Sequence, residues 1–398
     1  MNSGKTLFRI AVSCLSRAAL MPLCLLPVRK NRVLFVSYRG KQYSCNPRAI
    51  SEKLREIAGD KLEIAWAFHE PEKFSCLKDE GITVLDDRSR AFLRYALTAR
   101  VVCTNAYYKP FLPRRRGQFF LRTWHGGGAY KRVGRFEKMP LLQRLYVNMQ
   151  QQGADLYLSS SEAFTRLTLR EAFGYRGEVL EKGMPRNDAL VNGSSAPAAR
   201  AKKSLGVPEG VKLALYAPTY REDARAREFQ FDFERAKKAL SARFGGEWVF
   251  AFRGHHVVTE DKSRATSADI DCTDYPDMQD LLSAADALFT DYSSCIWDMS
   301  LTFKPAFLYA PDLSVYQSER DFFTDIRSWP FPLSQSNGEL ERNILDFDEE
   351  KYRADVKRHH EELGSFETGN ASELAARRIM KECGIGERPA KTKGEKRA

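Results

Sequence analysis

The chain has 398 residues, 43% hydrophobic and 12% aromatic, which is ample for a packed core and excludes intrinsic disorder of the whole. Its 63 Lys and Arg against 52 Asp and Glu give a formal charge of +11, which calls for an acidic partner without choosing among phosphorylated substrate, nucleic acid and anionic membrane. Eight cysteines form no Cys-x-x-Cys pair and no histidine cluster at metal-ligand spacing, so a reduced cytoplasmic protein is expected.

Residues 7–28 are mostly apolar but carry Arg9 and Arg17. On a helix, Lys5, Arg9, Ser13, Ser16 and Arg17 share one side, with Phe8, Ala11, Leu15 and Ala18 on the other. The apolar part after Arg17 is too short for a bilayer core of about 30 Å. Arg29, Lys30 and Arg32 stand where a signal peptide would show small residues. Residues 1–30 are predicted to form an amphipathic helix at the membrane interface, cations at lipid phosphates. Packing of this helix on the protein body is the competing reading.

From Arg32 onward, apolar runs alternate with helical patterns. Residues 33–37 read as a buried strand followed by Asn46-Pro47, a helix cap with proline at the first helical position. Strands follow at 62–68, 82–85, 100–104, 119–123 and 156–159, with amphipathic stretches at 141–151 and 162–173. Residues 191–200 lack large apolar side chains after Val191 and read as a linker. The rhythm restarts with strands at 212–216, 248–252, 287–290 and 306–309 and a helix at 278–285. This predicts two parallel-sheet α/β domains, 31–195 and 205–383, meeting at a ligand crevice on the carboxyl ends of their strands, then a loose tail over 384–398.

Familiar nucleotide motifs fail. Gly126-Gly127-Gly128 does not continue as a dinucleotide fingerprint, and Gly4-Lys5-Thr6 lacks the upstream glycine of a P-loop. The chemistry-bearing residues cluster instead at predicted strand ends. Strand 119–123 runs into His125, a glycine run and Lys131-Arg132, placing an imidazole and cations beside backbone that a ligand can approach closely. Strand 248–252 runs into Arg253-Gly254-His255-His256, and strand 287–290 into Asp291-Tyr292-Ser293-Ser294 and a helix start. Hydroxyls and orphan backbone N–H groups there suit a phosphate, although ordinary serine capping explains the same pattern. Asp298, about one turn on, would reach the same crevice. His359 and His360 fall in a charged stretch and are expected on a solvated helix face.

At Trp124-His125-Gly126, Gly183-Met184-Pro185-Arg186-Asn187-Asp188, Tyr216-Ala217-Pro218-Thr219-Tyr220-Arg221, Arg253-Gly254-His255, Thr290-Asp291-Tyr292-Ser293-Ser294 and Lys304-Pro305, the sequence resembles the CDP-glycerol glycerophosphotransferase family. The resemblance runs from about Arg32 to Asp325. Gly127-Gly128 and His256 depart from the family's usual residues.

The resemblance implies a GT-B-like α/β fold: two Rossmann-like domains facing a central cleft, an acceptor-side N-terminal one and a donor-binding C-terminal one. It also implies a peripheral location on the cytoplasmic face of the membrane, in teichoic-acid-like or capsular polymer synthesis. The donor would be CDP-glycerol or CDP-ribitol, the acceptor a lipid-linked glycan or polyol-phosphate chain, and the product CMP. His125 would be the general base, and His255 with Arg253 would stabilise phosphate charge, although exchanging the histidine roles fits the sequence equally well. Gly126, Gly127, Arg186, Pro218, Thr219, Arg221, Gly254, Ser293, Ser294 and Asp298 would contact substrate. Neither a metal nor a cofactor is expected. The rivals are a nucleotide-sugar glycosyltransferase on the same fold and a non-catalytic membrane scaffold. Nucleic-acid binding ranks last, because the basic residues are dispersed.

Overall fold

The computed structural model describes residues 3–106, 109–137, 139–151, 153–219, 231–254, 267–319 and 321–386. After helix α1 (Ser3–Leu20), the first half alternates β1 (Arg29–Val36), α2 (Cys45–Ala58), β2 (Glu63–Phe68), β3 (Thr83–Asp86), α3 (Arg90–Thr98) and β4 (Ala99–Thr104). It continues with β5 (Phe119–Arg122), α4 (Leu141–Gln151), β6 (Leu156–Ser159) and β7 (Glu178–Glu181). These strands form one parallel sheet ordered β3-β2-β1-β4-β5-β6-β7. Val33, Leu34 and Phe35 are fully buried in its centre, the pattern of a strand covered by helices on both faces.

Helices α5 (Asp188–Val191) and α6 (Ser195–Leu205) lead to β8 (Lys212–Tyr216), α7 (Phe233–Phe244), β9 (Trp248–Phe252) and β10 (Ile270–Asp271). Then come α8 (Met278–Ala284), β11 (Ala287–Thr290), α9 (Cys295–Ser300), β12 (Ala306–Tyr309), α10 (Leu313–Glu319) and β13 (Leu333–Ser334). The second sheet is also parallel, ordered β10-β9-β8-β11-β12-β13. Helices α11 (Asn337–Leu345), α12 (Glu349–Glu362) and α13 (Ala371–Glu382) close the described chain.

Four expectations need correction. Helix α2 starts at Cys45 after Ser44, so Asn46 is inside the helix and its amide is used for tertiary contacts. Most of the expected linker is helical, since α5 runs through Val191 and α6 begins at Ser195. The last helix does not stay with the second sheet: Ala375, Ala376, Ile379 and Met380 of α13 share a core with Ile50 and Leu54 of α2. Asp188 fixes this return, its carboxylate accepting from Ala371 N at 3.0 Å and Ser372 N at 2.8 Å, which satisfies orphan donors of the helix start. Finally, His359 and His360 are not solvated. His359 Nε2 meets the Tyr130 hydroxyl at 2.9 Å and His360 Nε2 meets Ser300 Oγ at 2.7 Å, and burial pushes both imidazoles down to about 4.

Helix α1 lies along the first domain. Thr6 and Ser13 are buried beneath it and Arg17 Nε donates to Pro110 O at 2.6 Å, while Leu7, Phe8 and Leu15 face outward. By length and composition alone, residues Gly4–Leu25 are long and apolar enough to cross a membrane.

Candidate active site

The two sheets face each other across a cleft of about 490 Å³ lined by loops at the carboxyl ends of their strands. From the first sheet come the β1–α2 loop, Ala106 after β4, Trp124 and His125 after β5, and Arg186 after β7. From the second come Ala217 and Pro218, Arg253 and Gly254, Asp277 to Gln279, Ser293 to Cys295, and Asp298.

His125 is held from behind. Its Nδ1 lies 2.8 Å from Asn105 O, and a carbonyl only accepts, so Nδ1 carries the proton and Nε2 keeps its lone pair. Desolvation pushes the imidazole down to about 4, with the charges of Arg186 and Arg39 acting the same way and the Asn105 hydrogen bond opposing. A neutral imidazole in a defined tautomer is the form a general base requires. Asn105 also accepts from Tyr38 N at 2.8 Å through its side chain, tying the β1–α2 loop to the histidine's support. That loop is held in unusual conformations: Tyr38, Arg39 and Cys45 have φ of 43°, 61° and 63°. Such strain clusters at functional sites.

The segment 183–188 joins the domains. Arg186 reaches across to Asp298 with Nη2 at 2.9 and 2.8 Å from the two carboxylate oxygens, and its Nη1 donates to His125 O at 2.6 Å. Both side chains are almost fully buried. Burial raises the Asp298 carboxyl, with the Arg186 guanidinium pulling the other way. Gln279 Nε2 donates to the same carboxylate at 3.0 Å. Glu367, in the crossing before α13, accepts from Met184 N, Asn187 Nδ2 and Trp297 Nε1 at 2.9, 3.0 and 3.2 Å, and burial pushes it up to about 7. Arg186 and Asp298, expected at the substrate, are thus engaged with each other while bordering the cleft.

The glycine run has a similar use. A Cβ at Gly127 would lie 2.3 Å from Trp297 Cδ1, and Gly128, at φ 71°, would meet Tyr130 and Trp297. The backbone approaches the facing domain's tryptophan, and Gly127 does not line the cleft. Gly126 faces Ser294, whose Oγ is 3.4 Å from a Cβ built there. Gly127→Ala is expected to destabilise the chain by about 1–3 kcal/mol through overpacking and to lower turnover by shifting the His125 loop. Thermal unfolding combined with steady-state rates tests this; an unchanged melting midpoint contradicts it.

Ser294 precedes α9 without a capping hydrogen bond from its side chain, and Ser293 Oγ sits 3.4 Å from Cys295 N. Both serines border the cleft. Thr219 N donates to both Asp291 oxygens at 2.9 and 3.0 Å, so this aspartate orders the Pro218–Thr219 turn. Arg253 Nη1 donates to Tyr275 O at 2.8 Å, and Gly254 N to Thr273 Oγ1 at 2.9 Å. His255 and Arg221 lie outside the described residues, although Gly254, next to His255, lines the same cleft as His125.

Sequence reasoning missed the β1–α2 loop and Asp277. The only signal was a polar stretch, 37–44, between an apolar strand and a helix. Asp277 Oδ2 accepts from Arg48 Nη1 at 3.1 Å, a second bridge between the domains. Among the described residues, the lining carboxylates are Asp277 and Asp298, both engaged by arginines, and Arg39, Lys41 and Arg253 add cations to the same lining. That lining suits a polyphosphate.

Residues 19–381 match the sequence profile of CDP-glycerol:poly(glycerophosphate) glycerophosphotransferase. A teichoic acid poly(glycerol phosphate) polymerase of Bacillus subtilis (strain 168) is 28% identical over 372 residues, 89% of this chain; the chain spans about half (49%) of that relative's length. A teichoic acid ribitol-phosphate primase of Bacillus spizizenii (strain W23) is 29% identical over 370 residues, 88% of this chain and 90% of the relative. Among solved structures, the wall teichoic acid polymerase TagF superposes with a TM-score of 0.78 over 96% of this chain and 98% of that one, at 24% identity, and so shares the two-domain GT-B-like fold. With the profile covering nearly the whole described chain, the protein belongs to the CDP-glycerol:poly(glycerophosphate) glycerophosphotransferase family of enzymes.

Proposed function

We propose that the chain transfers an alditol phosphate from a CDP-alditol to a hydroxyl of a membrane-linked acceptor, releasing CMP. The carrying observation is His125, neutral, fixed in one tautomer and lining a cationic cleft between the two sheets. The acceptor oxygen attacks the phosphorus bearing the alditol, the bond to the bridging oxygen breaks, and that oxygen leaves on CMP. The hydroxyl proton passes to His125 Nε2. Arg253 and, by its place in the sequence, His255 neutralise charge on the transferring and leaving phosphates, while Ser293 and Ser294 offer hydroxyl donors to the diphosphate. Arg186 positions His125 through its carbonyl.

Offering the purified full chain CDP-glycerol and CDP-ribitol with a lipid-linked acceptor tests this reading. Release of CMP with one of them supports it; silence with both, or release of a nucleoside diphosphate from a sugar donor, overturns it.

The pH dependence has a definite sign. With the free histidine at about 4, kcat/KM for the donor is expected to stay flat on the acid side until the pH nears that value. A bound diphosphate adds negative charge beside the ring and favours imidazolium, so the acid limb of kcat falls at higher pH than that of kcat/KM. Coincident limbs, or a limb that persists in His125→Ala, contradict the assignment.

The outward apolar face of α1, with Phe8 70% and Leu15 71% exposed, supports peripheral docking on an anionic membrane. Phe8→Ser/Leu15→Ser is expected to lose most co-sedimentation with phosphatidylglycerol vesicles, and full retention refutes this role.

A further inference from the structure

A second cavity, of about 380 Å³, lies between α1 and the carboxyl end of the first sheet. Arg39 lines both this cavity and the active-site cleft. At its floor, Asp87, only 2% exposed, pairs with His69 Nδ1 at 2.5 Å and Lys109 Nζ at 3.0 Å. Lys109 Nζ also donates to Asp87 O at 2.7 Å and sits 4.9 Å from the Phe92 ring centre, which fixes it in place.

Asp87 is the sole carboxylate lining this cavity among the described residues, against the cations Arg9, Arg39 and Lys109. The cavity's other wall is α1, which brings Arg9, Ser13 and Ser16 to it beside Val12 and the edge of the outward-facing Phe8. The cavity thus lies between the Asp87–Lys109 ion pair and the helix whose outer face is proposed to meet lipid, with Arg9 and Arg39 on its sides.

The loop joining the two cavities is seated on this floor. Gly40, at φ 89°, donates from its N to Ser37 O, and its carbonyl accepts from His69 N, each at 2.8 Å. A Cβ there would lie 3.0 Å from Asp87 Oδ2. Asn105 links the same loop to His125, through Tyr38 N and its own carbonyl.

We propose that this cavity receives a phosphate group of the acceptor chain, holding it with Lys109, His69 and Arg39 so that the chain's reactive hydroxyl enters the cleft past Arg39. The inference rests on the phosphotransfer reading and adds the acceptor's binding site to it. Phosphate meets Lys109 as a point charge, and His69, with Nδ1 turned to Asp87, meets it through Nε2. A polyanionic chain arriving from the membrane along α1 meets Arg9 and Arg39 as well as Lys109.

The test titrates a water-soluble polyol-phosphate oligomer, without lipid, into the full chain by calorimetry in the absence of donor. Wild type is expected to bind, and Lys109→Met and His69→Gln each to weaken binding by about tenfold, the scale of one charge-assisted hydrogen bond. Lys109→Arg should restore most of it, CDP-glycerol affinity should stay unchanged, and the acceptor KM should rise in step. His69→Gln retains a polar partner for Asp87, so the proposal stays testable if Lys109→Met fails to fold. Unchanged oligomer affinity in the folded variants overturns the proposal. So does a loss confined to phosphatidylglycerol vesicles, which would mark a lipid-headgroup site. Because this readout needs no turnover, it stays separate from a failure of wild type to release CMP, which would count against the phosphotransfer reading instead.

Discussion

His125→Ala is expected to lower kcat by roughly 10²- to 10⁴-fold, the contribution of a positioned general base, while donor affinity changes little. The ring packs against neighbouring aromatics, with centroids 4.4 Å from Trp124 and 5.5 Å from Tyr38, so an accompanying melting curve is needed to separate chemistry from packing. His125→Gln offers a milder substitution that keeps a donor near Asn105 O. A folded His125→Ala variant with full activity would remove the imidazole from the mechanism.

The second large effect is expected at the buried bridge between the domains. Arg186→Met leaves Asp298 inside the interface with the side-chain amides of Gln279 and Asn187 but no cation, and an uncompensated buried charge costs about 3–5 kcal/mol. The melting midpoint should fall by on the order of ten degrees. Arg186→Met/Asp298→Leu removes both charges and should recover most of this loss, because replacing a buried pair by apolar groups is often neutral. Turnover should not recover with it, since the hydrogen bond from Arg186 to the His125 carbonyl is still missing. Recovery of both stability and turnover would reduce Arg186 to a structural role.

Much of this architecture was legible in the sequence because parallel strands covered on both faces must be apolar throughout. Val33 to Val36 and Leu213 to Tyr216 announce themselves in this way, and polar or glycine-bearing loops at their carboxyl ends mark the crevice. His125, Arg253, Ser293 and Ser294 were found by that rule, and the cleft brings them together. What could not be read was partnership across long separations. Ala375 and Ile379 give α13 an apolar stripe, but nothing local says that it packs on α2 rather than on the second sheet. Gly127 was read as room for a ligand, and the space is taken by Trp297, 170 residues later. His359 and His360 stand among charges in the sequence, yet the helix turns them onto Tyr130 and Ser300.

The cleft's donor chemistry also depends on pairings invisible in composition. Asp277 and Asp298 would make an ambiguous lining if both were bare, and Arg48 and Arg186 engage them from the other domain. An excess of positive charge over the whole chain therefore becomes a local property of the site through two interdomain ion pairs.

The most direct measurement is a crystal structure of the full chain with CDP-glycerol bound. The diphosphate is expected in the cleft beside Ser293, Ser294 and Arg253, with the alditol-bearing phosphorus within about 6 Å of His125 Nε2, room for one attacking hydroxyl between them. A nucleotide seated outside the cleft, or a diphosphate out of reach of both His125 and His255, would contradict it.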